Sequence, residues 1–253
     1  MVSCVILVPA IALLLNLNIP ESVSSAQTHH QASILGSIRE GLGYVRQHSI
    51  LTGLMLMGLA TTVFAMPYQT LLPVFARDIL DVGPGGLGWL GAMAGAGAIA
   101  GSITVASLSD ARQMRVLMLT GGIGLGVFII LFAISTIYLL SLVLVLCVGF
   151  LFQIFMTSNF TLVQVISPDY IRGRVLSIRM IALGLGPVGM VLLGTGAEAF
   201  GPGQATVVMG AVAVVLVMIV LITIPSLRRV ETALEEQSPE PIEEQKPSPT
   251  PGA

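Results

Sequence analysis

Charged residues are scarce in this sequence. They make up 9% of its 253 residues, whereas hydrophobic residues make up 55% and the mean hydropathy is +0.94. A soluble domain normally has about 25% charged residues, so this composition excludes an ordinary water-facing surface. The basic residues lie in short loops that offer too little surface for a nucleic-acid interface, and no nucleic-acid partner is expected.

Cysteine is also scarce, and Cys4 and Cys147 both lie in apolar runs. That position favours small buried hydrophobic residues over a disulfide or a redox pair. His29 and His30 are adjacent, but zinc sites need three or four ligands, so we interpret the pair as part of a solvated loop. The apolar runs contain no nucleophile–base pair and no set of metal ligands. We therefore expect no enzyme activity, no cofactor and no metal.

Long apolar stretches are abundant. A helix needs about 20 apolar residues to cross roughly 30 Å of hydrocarbon, and seven stretches meet or approach that length. The sequence therefore predicts an all-α, multi-pass membrane protein. In chain order, the predicted first to seventh spans are residues 2–18, 49–76, 84–108, 115–134, 137–166, 177–199 and 204–225.

Arginine marks one side of this predicted membrane protein. If the chain crosses the membrane at every span, nine of the ten basic residues before Glu231 fall on one side and only Arg77 falls on the other. Cytoplasmic loops collect Lys and Arg, so the Arg-rich side and the C-terminus are predicted to be cytoplasmic in a cell membrane. The nine residues are Arg39, Arg46, Arg112, Arg115, Arg172, Arg174, Arg179, Arg228 and Arg229.

The two ends of the chain have different interpretations. No basic residue precedes the apolar run of residues 1–18 and no clear cleavage site follows it, which disfavours a signal peptide. Seven spans would place Met1 outside, so we interpret this segment as the last transmembrane helix of a missing N-terminal half. Residues 226–253 are rich in glutamate and proline, which predicts a disordered acidic cytoplasmic tail.

Residues 19–48 form the longest predicted cytoplasmic loop, and residues 49–225 form the predicted six-helix bundle. The second part of the loop has apolar residues at spacings of four, four and three, with charged residues away from that stripe. This pattern predicts an interfacial helix along the cytoplasmic membrane surface. The stripe consists of Ile34, Ile38, Leu42 and Val45.

Glycine is concentrated in the third and sixth spans. Small residues four apart let two helix backbones approach closely inside a membrane. A proline in the sixth span removes one backbone donor, and its flanking glycines permit a bend. Tight helix packing and a hinge between moving halves are both compatible with the pattern. The residues concerned are Gly91, Gly95, Gly97, Gly101, Gly186, Pro187 and Gly189.

Ionisable groups in the middle of a bilayer mark ion pathways, but these spans have essentially none. Arg77, Asp78, Asp81 and Glu198 lie near span ends and are predicted to be interfacial. Uncharged polar residues instead form a stripe on the fifth span and a cluster on the second. They either hydrogen-bond neighbouring helices or line a water-filled path. They are Thr61, Thr62, Tyr68, Gln69, Gln153, Thr157, Thr161 and Gln164.

Residues 1–230 resemble the C-terminal half of a major facilitator superfamily transporter, in particular the branch of enterobactin exporter-like permeases. The spans would match helices six to twelve of that superfamily. The resemblance rests on the segments REGLGYVRQHSIL, LLPVFARDIL, SPDYIRGRVLS and GLGPVGMVLLGTGAEAFG.

The loop after the third span departs from the superfamily's Gly-x-x-x-Asp-Arg-x-Gly-Arg-Arg signature. In ASLSDARQMR, Asp110 and Arg115 match, whereas Ala111 replaces the first Arg and Gln113 replaces Gly. The resemblance implies that Asp110 latches the two halves at a helix N-terminus, where a carboxylate contributes about 0.3–1 kcal/mol. The predicted cytoplasmic gate consists of Asp110, Arg115, Arg172, Gly173 and Arg174.

The resemblance also implies a mechanism. Two six-helix bundles rock around a central cavity and expose it alternately to each side. The second and fifth spans would line that cavity, and the third and sixth would meet the other bundle. The implied partners are membrane lipid, a small-molecule substrate and the missing N-terminal half. The implied activity is secondary export of a siderophore, drug or other amphiphile, coupled to protons.

A second hypothesis comes from a different class of protein. The chain would be a half-length membrane module that assembles partners through its glycine faces and acidic tail. Six spans encoded upstream of Met1 would favour the transporter, whereas a true start at Met1 would favour the module.

Overall fold

The computed structural model describes residues 34–107 and 111–224. Every regular element in those two ranges is a helix, and six of the helical segments are long and apolar enough to cross a membrane. The predicted all-α transmembrane fold is therefore confirmed. The six segments are Ser49–Ile79, Gly83–Ala106, Arg112–Ile134, Tyr138–Ile166, Asp169–Phe200 and Pro202–Thr223. They correspond to the predicted second to seventh spans, and those names are kept below.

Helix α1, Ile34–Gln47, precedes the six spans. Its buried side includes Gly41 and Val45, whereas Leu42 of the predicted apolar stripe is 46% exposed. A Cβ atom added to Gly41 would lie 2.9 Å from Ile178 Cδ1, so α1 lies close against the sixth span. The helix itself was predicted correctly. The side of it that contacts the sixth span contains Gly41, whereas Leu42 of the predicted apolar stripe faces away.

The second span is longer than predicted and is not a regular α-helix. Helix α2, Ser49–Ala60, and helix α3, Tyr68–Val74, are each followed by a π-helical turn, Thr61–Ala65 and Phe75–Ile79. In each wide turn an amide reaches back five residues, from Met66 to Thr61 and from Leu80 to Phe75, both at 2.9 Å. The first turn ends two residues before Pro67, and Pro73 lies inside α3. Proline cannot supply a backbone hydrogen, so irregular turns are expected beside it.

The third, fourth and fifth spans are continuous helices. Helix α4, Gly83–Ala106, packs along α6, Tyr138–Ile166, and α6 also packs against α5, Ala111–Ile134. Close approach between α4 and α6 is reciprocal. A Cβ atom on Gly97 would lie 2.1 Å from the Leu146 oxygen, and one on Gly149 would lie 2.2 Å from the Ala94 oxygen. Glycine at these positions is therefore needed to let the two backbones touch.

The sixth span consists of two helices and begins earlier than predicted. Helix α7, Asp169–Leu183, ends near Gly184, and α8, Gly186–Phe200, begins with Pro187 in its first turn. Proline is favoured there because the first helical amides have no intrahelical partner. The last span is α9, Pro202–Thr223, which packs against α5 and α8.

Two apolar clusters fill the bundle, one toward each end. The cluster at the Asp78 end includes Phe75 and Phe132, whose ring centroids are 4.8 Å apart. The other cluster includes Leu54 and Phe155, both fully buried. Many large apolar side chains also cover the outside of the bundle, as expected for a surface solvated by lipid tails.

Four sequence predictions lie outside the described residues. They are the first span at residues 1–18, the His29–His30 pair, the gate residue Asp110, and the acidic tail at residues 226–253.

Candidate functional site

Polar and small residues meet in a groove between the second, third and fifth spans. The groove encloses about 790 Å3 of empty space, including its open mouth. Gln69 is exposed, Gln153 is half-buried and Tyr68 is 2% exposed. We call this site the polar groove. Its other lining residues are Leu72, Gly91, Ala94, Gly95, Ala98, Gly149 and Phe152.

The fifth span contributes Gln153 from a stripe of four polar residues. The Gln153 amide Nε2 donates a hydrogen bond to Thr157 Oγ1 at 3.0 Å. This bond orients the amide along its own helix, so no partner on another helix is needed to hold it. Thr161 and Gln164 are half-buried further along the same helix, and neither lines the polar groove.

The second span separates its four polar candidates into two groups. Tyr68 and Gln69 line the polar groove, whereas Thr61 and Thr62 are 2% and 1% exposed in the preceding π-helical turn. Thr62 Oγ1 donates to the Gly58 oxygen at 2.9 Å, within its own helix. The structure therefore brings together Tyr68, Gln69 and Gln153, and leaves the two threonines inside the bundle.

The glycines of the third span also divide into two groups. Gly91 and Gly95 line the polar groove, and a Cβ atom on either would meet no other atom within 4 Å. A Cβ atom on Gly101 would instead lie 2.6 Å from the Phe150 oxygen of the fifth span, and Gly97 is similarly close to that helix. The tight contacts of this second pair are made inside the bundle.

The sixth-span glycines contact the second span. A Cβ atom on Gly189 would lie 2.0 Å from the Val63 oxygen, and one on Gly186 would lie 3.8 Å from Thr62 Cγ2. Pro187, between them in sequence, is exposed. These small residues hold the sixth span against the first π-helical turn of the second span. Contact with another half stays a prediction.

The predicted gate residues of the sixth span lie at the end of the bundle that α1 covers. Arg172 Nε donates to the Gln164 oxygen at 3.0 Å, and its Nη1 lies 2.7 Å from Asp169 Oδ1. Arg174 forms an ion pair with Glu40 of α1. Gly173 is exposed with open space around it.

Arg115 and a pair of tyrosines also lie at the end of the bundle that α1 covers. Arg115 is half-buried near the start of the fourth span. Tyr44 of α1 lies edge-on to Tyr170, with ring centroids 6.3 Å apart. Partial burial, followed by the neighbouring Tyr170, raises the pKa of Tyr44 above its usual value. Arginines and aromatic rings thus connect α1 to the start of the sixth span.

Arg179 corrects one sequence prediction. It was counted among the cytoplasmic loop arginines, but it is 3% exposed inside the sixth span and donates from Nη1 to Asn159 Oδ1 of the fifth span. Its guanidinium carbon lies 5.4 Å from the centre of the Phe160 ring. Arg179 is therefore an ionisable group buried inside the helical bundle, and counting it among the loop arginines was wrong. The available signal was the run of apolar residues that directly follows Arg179.

The predicted interfacial acids lie at the opposite end of the bundle. Asp78 and Glu198 are exposed and line a second groove between the second span, α8 and the start of α9, which encloses about 1020 Å3 of empty space including its open mouth. Arg77 and Asp81 are exposed beside Asp78. Among residues 34–107 and 111–224, no group of three or more His, Cys, Asp or Glu is placed to hold a metal ion.

Within residues 34–107 and 111–224, these observations define an all-helical membrane protein with six spans and a polar groove between three of them. Residues 4–249 match the model of the transmembrane secretion effectors, a family of the major facilitator superfamily, and the chain belongs to that family. The predicted superfamily and the multi-pass membrane location are thereby confirmed.

Curated relatives agree with the family. The multidrug efflux pump Tap of Mycolicibacterium fortuitum is 31% identical over 205 residues, which cover 79% of this chain and 49% of the relative. Tap of Mycobacterium tuberculosis H37Rv is 28% identical over 226 residues, which cover 86% and 52%. The chain therefore spans about half the length of the curated relatives it matches. No solved structure matches.

The relatives bear on two further predictions. Both relatives are described as multidrug efflux pumps, and the expectation that this chain has no enzyme activity stays a prediction. Neither is described as an enterobactin exporter, so that branch of the superfamily stays a prediction.

Proposed function

We propose that this chain is the C-terminal half of a drug efflux transporter, and that the polar groove forms part of the path taken by the drug. The observation that carries the proposal is the meeting of Tyr68, Gln69 and Gln153 beside two open glycines. Ligand sites in membrane transporters lie between helices, and they combine apolar walls with a few polar groups. The groove has this composition.

The mechanism we propose is alternating access. This bundle and a second six-helix bundle would rock around the polar groove, opening it first to the cytoplasm and then to the outside. The relatives described as multidrug pumps favour drugs and other amphiphiles over a siderophore. The described spans contain no carboxylate near their middles, so we place the proton-coupling acid in the other half.

The test is Gln153→Ala in the whole transporter. Gln153 bonds a residue of its own helix, so its loss leaves no polar group stranded on a neighbour. We expect the variant to keep its membrane expression and its melting temperature but to change the relative efflux of chemically different drugs. Gln204→Ala is the matched control, because Gln204 is exposed at the start of α9. A lower melting temperature with unchanged relative efflux would contradict the proposal.

The proposed orientation has its own test. A cysteine at Asp169, in a background without Cys4 and Cys147, should be shielded from impermeant thiol reagents in intact cells. A cysteine at the exposed Gln204, at the other end of the bundle, should be labelled. Permeabilising the membrane should make both react. Labelling of the Asp169 position alone in intact cells would reverse the orientation and place the C-terminus outside.

A further inference from the structure

Helix α1 has three exposed residues on one face. Arg39, Leu42 and Arg46 follow one another at spacings of three and four, which places them on the same side of a helix. All three are exposed, and Leu42 is 46% exposed although it is apolar. Gly41 and Val45 are buried on the side that faces the bundle. We call Arg39, Leu42 and Arg46 the outer stripe of α1.

The sixth span holds the opposite side of α1. Glu40 forms an ion pair with Arg174, and the rings of Tyr44 and Tyr170 lie edge-on with centroids 6.3 Å apart. A Cβ atom on Gly41 would lie 3.2 Å from Arg174 Cβ. These contacts follow the first turns of the sixth span, so α1 lies alongside that span and its outer stripe points away from the bundle.

The corner between α1 and the second span fixes the end of α1. His48 is the one residue between α1 and the second span, and its amide donates to the Val45 oxygen at 3.1 Å. Thr52 Oγ1 of the second span donates to the same oxygen at 2.6 Å. Together with the Glu40 ion pair, these bonds keep α1 from turning about its axis. The direction of the outer stripe is therefore fixed.

The contacts with the sixth span also place α1 at the height of the lipid headgroups. The sixth span has 32 residues, so as a helix it would be about 48 Å long, whereas the hydrocarbon core is about 30 Å thick. The excess length extends into the headgroup region at both ends. Tyr170 and Arg174 lie in the first two turns of the span, and tyrosine and arginine are common at that level of a membrane.

No acidic side chain neutralises the two arginines of the outer stripe. Among the residues that the structure describes, neither Arg39 nor Arg46 forms an ion pair, and Glu40 is paired with Arg174. Guanidinium groups at the headgroup level attract anionic lipids, and their N–H groups match phosphate oxygens. Exposed Leu42 between them favours a lipid surface over a soluble acidic partner, because a basic amphipathic helix buries its apolar residues at the boundary of headgroups and acyl chains.

We propose that the outer stripe of α1 binds anionic phospholipid headgroups of the surrounding membrane. Arg39 and Arg46 are seven residues apart, which is about 10 Å along a helix, so each arginine binds a separate phosphate. Leu42 contacts the upper part of the acyl chains between them. The occupant is the membrane itself, so the proposal does not depend on the proposed efflux function.

The test is fluorescence quenching by brominated lipids in the reconstituted whole transporter. A variant with Leu42→Trp, and with every other tryptophan replaced by phenylalanine, has its only tryptophan in the outer stripe. Tryptophan is favoured at membrane interfaces, so this exposed position should accept it. In phosphatidylcholine vesicles, brominated phosphatidylglycerol should quench position 42 more strongly than brominated phosphatidylcholine does, because anionic lipid is enriched at the stripe.

Trp89 is the matched control for this comparison. It is 61% exposed near the start of the third span, at the Asp78 end of the bundle. A transporter that retains only Trp89 should be quenched equally by the two brominated lipids.

Charge variants test whether the arginines cause the preference. Arg39→Gln and Arg46→Gln should each lower the preference for phosphatidylglycerol roughly fivefold. Replacing both by lysine should keep most of it, because the attraction follows charge. Added salt should weaken it. Arg77→Gln removes an exposed arginine at the Asp78 end and should leave the preference unchanged.

Equal quenching of position 42 by the two brominated lipids would overturn the proposal. So would a preference for phosphatidylglycerol that survives loss of both arginines. Weak quenching by both lipids would also overturn it, since water or protein would then cover the stripe. The lipid comparison needs no arginine variant, so it can be read even if one of those variants fails to fold.

Discussion

The two glycine pairs of the third span have the same spacing and opposite surroundings. Gly91 and Gly95 face the open polar groove, whereas Gly97 and Gly101 touch the backbone of the fifth span. The first pair lacks side chains where a ligand or another bundle has room. The second pair lacks them because two backbones occupy that space. The same spacing therefore leaves open space at one glycine pair and allows backbone contact at the other. Three predictions test whether the two pairs differ in this way.

The largest effect is expected from Gly97→Ala. The added methyl group would lie 2.1 Å from the Leu146 oxygen, which is backbone and cannot rotate away. Overpacking of this kind lowers the free energy of unfolding by about 1–3 kcal/mol, and a clash with backbone places this variant at the upper end. The measurement is the melting temperature of the whole transporter in detergent. Gly95→Ala is the control, and equal melting temperatures for the two variants would remove the distinction between the pairs.

An intermediate effect is expected from Gly95→Leu. Its side chain would occupy the polar groove, so large drugs should be exported less well than small ones while expression stays unchanged. We expect a change in relative efflux of about tenfold, equivalent to roughly 1.4 kcal/mol. Gly88→Leu is the control, since Gly88 is exposed on the same helix and does not line the groove. An equal loss for drugs of every size would indicate damage to the bundle instead.

The smallest effect, and one of opposite sign, is expected from Gly91→Ala. Nothing lies within 4 Å of the added methyl group, and alanine restricts the unfolded chain more than glycine does. The free energy of unfolding should rise by about 0.4–1 kcal/mol, as measured by the melting temperature of the whole transporter. A decrease would show that this position touches the second bundle, which is the role the sequence predicts for it.

Hydropathy was sufficient to predict the six described spans, because each needs an apolar length that few other structures require. The boundary of the sixth span was less accurate, since Arg172 and Arg174 looked like loop residues when judged by their sequence neighbours. Burial of Arg179 depends on Asn159 and Gly58, which lie on two other helices. No local pattern contains that contact.

The polar groove was only partly predictable for a similar reason. The stripe on the fifth span correctly placed Gln153 and Thr157 on one face, because α6 is a regular helix. The role of Gln153 and of the second-span candidates in transport stays a prediction. Spacing along one helix does not determine which glycine pair touches a backbone. That contact depends on where α4 and α6 cross.

The π-helical turn at Thr61–Ala65 has a consequence for the direction in which the rest of its span faces. A turn of this kind contains one residue more than an α-helical turn, and each residue of an α-helix advances about 100° around the axis. Everything after the turn is therefore rotated by about that angle relative to an uninterrupted helix. This phase shift accounts for buried Thr61 and Thr62 standing only a few residues before Gln69 at the groove. Deleting one residue from the turn would restore the regular winding and leave Gln69 facing the groove, because the deletion removes the same rotation that the wide turn absorbs.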